Sequence, residues 1–281
     1  MRRMVLLLAA LLVLPACGGG DSVAADPVAE AATKTTEAGS SRVEFTMAME
    51  AEGRSFELRG DGVFDYTSPR GRMTLDAGDL SELTGGKLGN GRMEFVLDGS
   101  AYYLKFPEAM QLAGRQWLKI DLEEVAELTG ADFGGLEQAN QNPAQLMQFL
   151  RGASDDIEEL GKEEVRGVET TRYRAKVDLE KAAEGGAEIG ELSDEMREQL
   201  QAQIERMKAQ TGLETLPVEV WVDEESLVRR MEMDVSFTVD GEQVGLDMAI
   251  DFFDFGVDVR AAPPPADQTM DLTELAGEEG S

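Results

Sequence analysis

The chain has 281 residues, with 56 acidic against 26 basic side chains and a net charge of −30. A body this acidic is repelled by phosphate backbones and anionic headgroups, which argues against nucleic-acid binding and against membrane attachment by charge. With no histidine and a single cysteine, it lacks the parts for Ser-His-Asp or Cys-His catalysis, for the usual zinc sites and for an internal disulfide.

The chain opens with Arg2 and Arg3, followed by an apolar run from Val5 to Leu14. This is the layout of a secretory signal. The run is half the roughly twenty residues that a helix needs to cross a bilayer. It ends Leu14-Pro15-Ala16-Cys17-Gly18-Gly19-Gly20, which resembles a bacterial lipobox. That resemblance implies cleavage after Ala16 and a diacylglyceryl group on Cys17. Two acyl chains suffice for a stable anchor. The alternative is an ordinary signal peptide with an incidental cysteine.

Small, polar residues from Gly18 to Ala25 read as a tether, and Pro27 to Ala38 as a short helix ending at Gly39. Strands then follow one another. Val43, Phe45, Met47 and Met49 alternate with polar or small neighbours, the period of a half-buried strand. Phe56 and Leu58, then Val63 to Tyr66, then Met73 and Leu75 continue the pattern. Met93, Phe95 and Leu97 lead to Asp98-Gly99, a hairpin signal, and to strands at 101–106 and 117–120. Residues 121–160 carry helical spacing, with Pro143 suited to a first turn. Strands return from Gly161 to Val177, with a short helix from Asp178 to Ala183. A longer helix from Ser193 to Thr211 has Met196, Leu200, Ile204 and Met207 in one stripe.

The end is all strand, over 216–222, 227–239 and 244–255, until Pro263-Pro264-Pro265 stops it. Met231, Met233, Val235, Phe237 and Val239 share one side, as do Leu246, Met248, Ile250 and Phe252. The acidic tail from Asp267 reads as loose.

So many alternating strands predict an α+β fold: one curved antiparallel sheet, an open half-barrel, with helices packed over its concave face. No nucleophile elbow, phosphate loop or calcium loop is present, so the chain reads as a non-enzyme without a cofactor. One residue in five is acidic, so carboxylate pairs arise by chance. A carboxylate hydrolase would need two of them converging in a cleft with a raised pKa.

Four stretches carry a further resemblance. They are Gln116 to Leu122; Gly167 to Arg174 running on to Leu179; Pro217 to Asp223 with Leu227 to Arg230; and Asp254-Phe255-Gly256 followed by Ala262-Pro263-Pro264. With the lipobox, they resemble the actinobacterial LppX/LprAFG-like lipoproteins. Members often carry His where Arg172 stands and Gly where Ser226 stands. The resemblance implies a LolA-like fold whose space between sheet and helices holds acyl chains. The expected organisation is a signal peptide at 1–16, a lipidated tether at 17–26, one LolA-like domain at 27–265 and a disordered tail at 266–281. The expected location is the extracytoplasmic face of the cell membrane, anchored through Cys17.

An apolar pocket between sheet and helices suits acyl chains, and methionines give it an adaptable lining. Phe45, Met47, Met49, Phe95, Met231, Met233, Phe237 and Met248 are the candidate lining for a lipid or glycolipid ligand. The competing reading is a closed core without a cavity, in a surface lipoprotein that meets a protein partner. Trp117 and Trp221 read as packing.

Overall fold

The structure is a computed structural model, and it describes residues 26–51, 53–76, 78, 91–105, 114–121, 124, 154–178, 194–239 and 242–273. The expected signal, Cys17, the expected tether as far as Ala25, the expected helices around 143–150 and 179–183, and the residues beyond Thr273 lie outside the described residues.

Among the described residues, twelve strands form one open sheet. Strands β1 (Ser40–Ala51), β2 (Arg54–Asp65), β3 (Arg70–Asp76), β4 (Arg92–Asp98), β5 (Ala101–Lys105) and β6 (Trp117–Asp121) form one antiparallel meander. Strands β7 (Ser154–Val165), β8 (Val168–Asp178), β9 (Thr215–Asp223), β10 (Val228–Val239) and β11 (Glu242–Phe253) form a second. The second returns towards the first, so that β11 pairs antiparallel with β1. The short β12 (Thr269–Asp271) pairs parallel with β6 and closes that edge, while β7 forms the other.

Two expectations are corrected. Residues 154–160, read as helical, belong to β7. Strand β8 supplies them with a ladder that resumes on both sides of two irregularities. Tertiary pairing overrides so weak a local preference. Residues 266–271, expected within the loose tail, form a 3₁₀ turn and β12, with Met270 buried.

Helix α1 (Pro27–Glu37) starts where Asp26 accepts hydrogen bonds from the amides of Val28 and Ala29, both at 2.9 Å, with Pro27 in the first turn. Val28, Ala31, Ala32 and Thr35 fall at helical spacing on its buried side. They join a core cluster with Val43, Val177, Val218, Val220, Val222, Val228, Met231 and Phe252. The Thr35 hydroxyl accepts the Val228 amide at 2.9 Å, so a buried polar group and the first donor of β10 satisfy each other. Helix α2 (Asp194–Thr211) matches the expected longer helix and lies against β10.

The β9–β10 turn is closed by Asp223, which bonds both ways with Leu227 through the backbone and through its carboxylate. Within it Ser226 sits at φ 60°, a left-handed conformation that costs a side-chain-bearing residue about 1–2 kcal/mol. Glycine there relieves the strain at some cost in unfolded-state entropy. Ser226→Gly should therefore raise the unfolding free energy by up to about 1 kcal/mol. Urea denaturation checks this; a loss of stability would contradict it.

Candidate functional site

Strand register decides which side chains can form a site. Phe45 stands opposite Ile250, which faces Met231, which faces Val220, which faces Tyr173. One step along, Met47 faces Met248 and Met233 lies beyond it. On the other side Phe45 faces Gly60, then Leu75, then Met93. All eight expected lining residues therefore fall on one face of the sheet, because each strand keeps a period of two.

The face is covered unevenly. Met231 is 2% exposed and shares its cluster with the α1 residues Val28, Ala31 and Ala32, so it packs as core. Phe45, Met47, Phe95, Met233, Phe237 and Met248 are half-buried. Met49, near the β1–β2 turn, is 43% exposed and is the exposed large hydrophobic among the described residues. Phe56, Leu58, Val244 and Leu246 surround it through the register and are also half-buried. The end of the face near the β1–β2 and β10–β11 turns is thus apolar and partly open, while the part under α1 is dry core.

Sequence reading named Phe56, Leu58 and Leu246 as strand residues and passed over them as lining. It also passed over Gly60. A β-carbon at Gly60 would overlap the Phe45 ring and press on Leu75, so the glycine lets that ring lie down across the neighbouring strand. A glycine at an inward strand position, paired with an aromatic, was the available signal.

The opposite face carries a charged grid. Arg230 holds Asp251 through two bonds of 2.6 and 2.9 Å. Arg172 and Arg174 converge on Glu219. Trp221, 1% exposed, donates its indole N–H to Glu163 at 3.0 Å and lies beneath the Arg172 guanidinium, 4.8 Å from the ring centre. Arg166, in the β7–β8 turn, reaches Glu44 on β1 at 2.6 Å and stacks on Phe253 at 4.0 Å. Strands lie about 4.8 Å apart, and β9, β10 and β11 stand between. That reach requires the hairpin end to lean over the polar face. Trp117 also packs here, with Val96 and Ala261.

Burial works to raise the Glu219 carboxyl, but the hydrogen bonds of Arg172 and Arg174 outweigh it and hold the group below its ordinary 4.5. Glu94 is likewise held low, first by the Lys105 ammonium and then, against burial, by Arg72. Glu232 is pushed up by burial. It shares this network with Arg230 at 3.5 Å. Among the described residues no group of three His, Cys, Asp or Glu side chains is placed to hold a metal ion.

No family model matches the chain. An uncharacterized 31.2 kDa protein of Streptomyces griseus is 29% identical over 275 residues, spanning 92% of this chain and 83% of its own length. A Streptomyces coelicolor protein named "putative lipoprotein" is 28% identical over 264 residues, spanning 92% and 78%. Among solved structures, the Mycobacterium tuberculosis lipoprotein LppX matches with a TM-score of 0.46 at 12% identity, over 84% of this chain and all of that one. LprF from Mycobacterium bovis matches with a TM-score of 0.46 at 15% identity, over 85% and 96%. A LolA superfamily protein from Nitrosomonas europaea matches with a TM-score of 0.28 at 9% identity, over 82% and 93%.

A folded-state pKa below the unfolded one makes Glu219 stabilising above about pH 4.5, and that contribution fades as pH falls through the folded value. Glu219→Gln should cost about 1 kcal/mol at pH 7, after discounting for partial exposure. The difference from wild type should shrink towards pH 3. Urea midpoints at the two pH values check this; an equal difference at both would contradict it.

Proposed function

We propose that this chain is a lipid-anchored extracytoplasmic lipoprotein that holds the acyl chains of a lipid or glycolipid against the open part of its apolar face. In this reading residues 1–16 are removed, Cys17 carries the diacylglyceryl anchor, residues 17–26 tether the body to the cell membrane, and helices pack over the concave face of an open half-barrel. The supporting observation is the partly open apolar end formed by Met47, Met49, Met233, Phe237 and Met248, beside a core already closed by α1. An exposed apolar surface beside a finished core costs solvation and stands ready for an apolar ligand. Flexible methionine side chains fit chains of varied length and unsaturation. The name of the Streptomyces coelicolor relative agrees with the anchor.

The test expresses the chain in an actinobacterial host with Cys17→Ser, and analyses it by native mass spectrometry and lipid extraction. Cys17→Ser should move the protein from the membrane to the soluble fraction. It should carry a stoichiometric lipid mass that disappears on denaturation. Met49→Lys, which puts a charge into the open part at its most exposed position, should abolish that mass while leaving the circular dichroism unchanged. A protein that stays bare after incubation with host lipid extract would overturn the carrier reading. It would favour a filled-core lipoprotein that meets a protein partner.

A further inference from the structure

After β11 the chain does not leave the sheet. Gly256 donates to the Ser40 carbonyl at 2.9 Å, and the Ser40 hydroxyl donates to the Val257 carbonyl at 2.6 Å. Val259 and Ala261 then pack with Val96, Tyr103 and Trp117 on β4, β5 and β6. Gln268 accepts the Gln116 amide at 3.1 Å before β12 begins. Residues 256–268 are therefore a strap, running from β1 across the polar face to the far edge. Pro263, Pro264 and Pro265 stiffen it, since each locks its own φ.

The strap walls one side of a groove. Two depressions of about 470 and about 620 Å³ share Arg42, Asp61, Gly62 and Thr74 and so form one trough. Val257, Asp258 and Arg260 of the strap line one end, and Phe253 and Thr46 the other. Each volume falls within the ordinary range of small-molecule sites.

The chemistry of the lining selects the ligand class. At the shared centre Asp61 and Thr74, and beside them Thr46, make no side-chain hydrogen bond or ion pair among the described residues. Around them stand the guanidiniums of Arg42, Arg59, Arg72, Arg92 and Arg260 and the carboxylates of Glu44, Asp76 and Asp258; Arg42 pairs with Asp254, Arg59 with Glu57, Arg72 with Glu94 and Arg260 with Asp258, each keeping further N–H groups to donate. An anion would meet the Asp61 carboxylate, and a cation would meet the guanidiniums. A neutral ligand rich in hydroxyls satisfies both, donating to Asp61 and accepting from arginine and threonine.

We propose that the trough beneath the strap on the polar face is a binding site for a neutral saccharide, separate from the apolar face. The site places sugar recognition and acyl-chain contact on opposite sides of one sheet.

The test titrates the soluble Cys17→Ser chain with neutral gluco-, manno- and chito-oligosaccharides, and with inorganic phosphate, following backbone amide shifts by NMR. At least one neutral series should bind and move the Gly60 and Gly62 amides. Asp61→Ala and Thr74→Val should each weaken it about tenfold, the cost of one lost hydrogen bond to the ligand. Asp234→Asn, on β10 and outside the trough, should leave it unchanged. Both trough positions are on the surface of formed strands, and an unchanged spectrum elsewhere verifies folding. Three results would overturn the proposal: no neutral oligosaccharide binding at millimolar concentration, binding indifferent to both trough variants, or phosphate binding that strengthens in Asp61→Ala.

Discussion

The pairing of β1 with β11 is the constraint on which the structure depends. It joins two meanders that are each continuous in sequence but distant from one another. The register from Arg42 opposite Phe253 to Ala51 opposite Val244 puts Val43, Phe45, Met47 and Met49 on the same side as Phe252, Ile250, Met248 and Leu246. A slip of one residue would put the apolar side chains of one meander on the same side as the charged side chains of the other. The hydrophobic difference between the faces is what prevents the slip. The α1 stripe then closes one part of the apolar face, with Thr35 bonded to the first residue of β10.

The two faces divide the physical work. The apolar face supplies burial, and its open end remains uncovered where Met49 stands. On the other face arginines stand among the acidic side chains and offset some of their repulsion, although the register also sets like charges side by side, Asp251 with Glu44 and Glu44 with Asp61, in a chain whose net charge is −30. Arg172, Arg174 and Glu219 show the pattern, with one carboxylate held between two guanidiniums of the next strand. Partly exposed pairs of this kind each contribute little, roughly 0–1 kcal/mol. Their larger effect is geometric, since they set the lateral position of β8, β9, β10 and β11 against each other. The strap uses the same face, burying Ala261 and Trp117 at one end and leaving a polar trough at the other.

The long strands were legible in the sequence because alternation is a local signal: β1, β10 and β11 show period two over most of their length. The single face shared by the eight lining candidates followed from the same signal. Met231 and Met233 show the limit. They have the same parity and the same chemistry, yet one is core and the other half-open, because α1 covers only the first. Cover is a tertiary fact, absent from strand periodicity. The first half of β7 was missed because Asp155, Asp156, Glu158 and Glu159 carry no apolar alternation, and only pairing with β8 makes them strand. Strand β12 was missed because three residues, docked by a remote strap, are too few to give a pattern. The trough escaped for a related reason. Arg42, Asp61 and Thr74 come from three strands, and in a chain this rich in charge no single residue of the set stands out.

The central claim is that one apolar face is part closed core and part open floor for a lipid. Methionine side chains report this directly, because peroxide oxidises an accessible thioether and spares a buried one. Oxidation footprinting of lipid-free protein, read by peptide mass spectrometry, should modify Met49 first, then Met47, Met233 and Met248, and leave Met231 intact until the protein unfolds. Loading with the co-purified lipid should protect Met47, Met49, Met233 and Met248 together and leave the rate at Met231 unchanged. Equal protection of all five in the lipid-free protein, or no change on loading, would contradict the account.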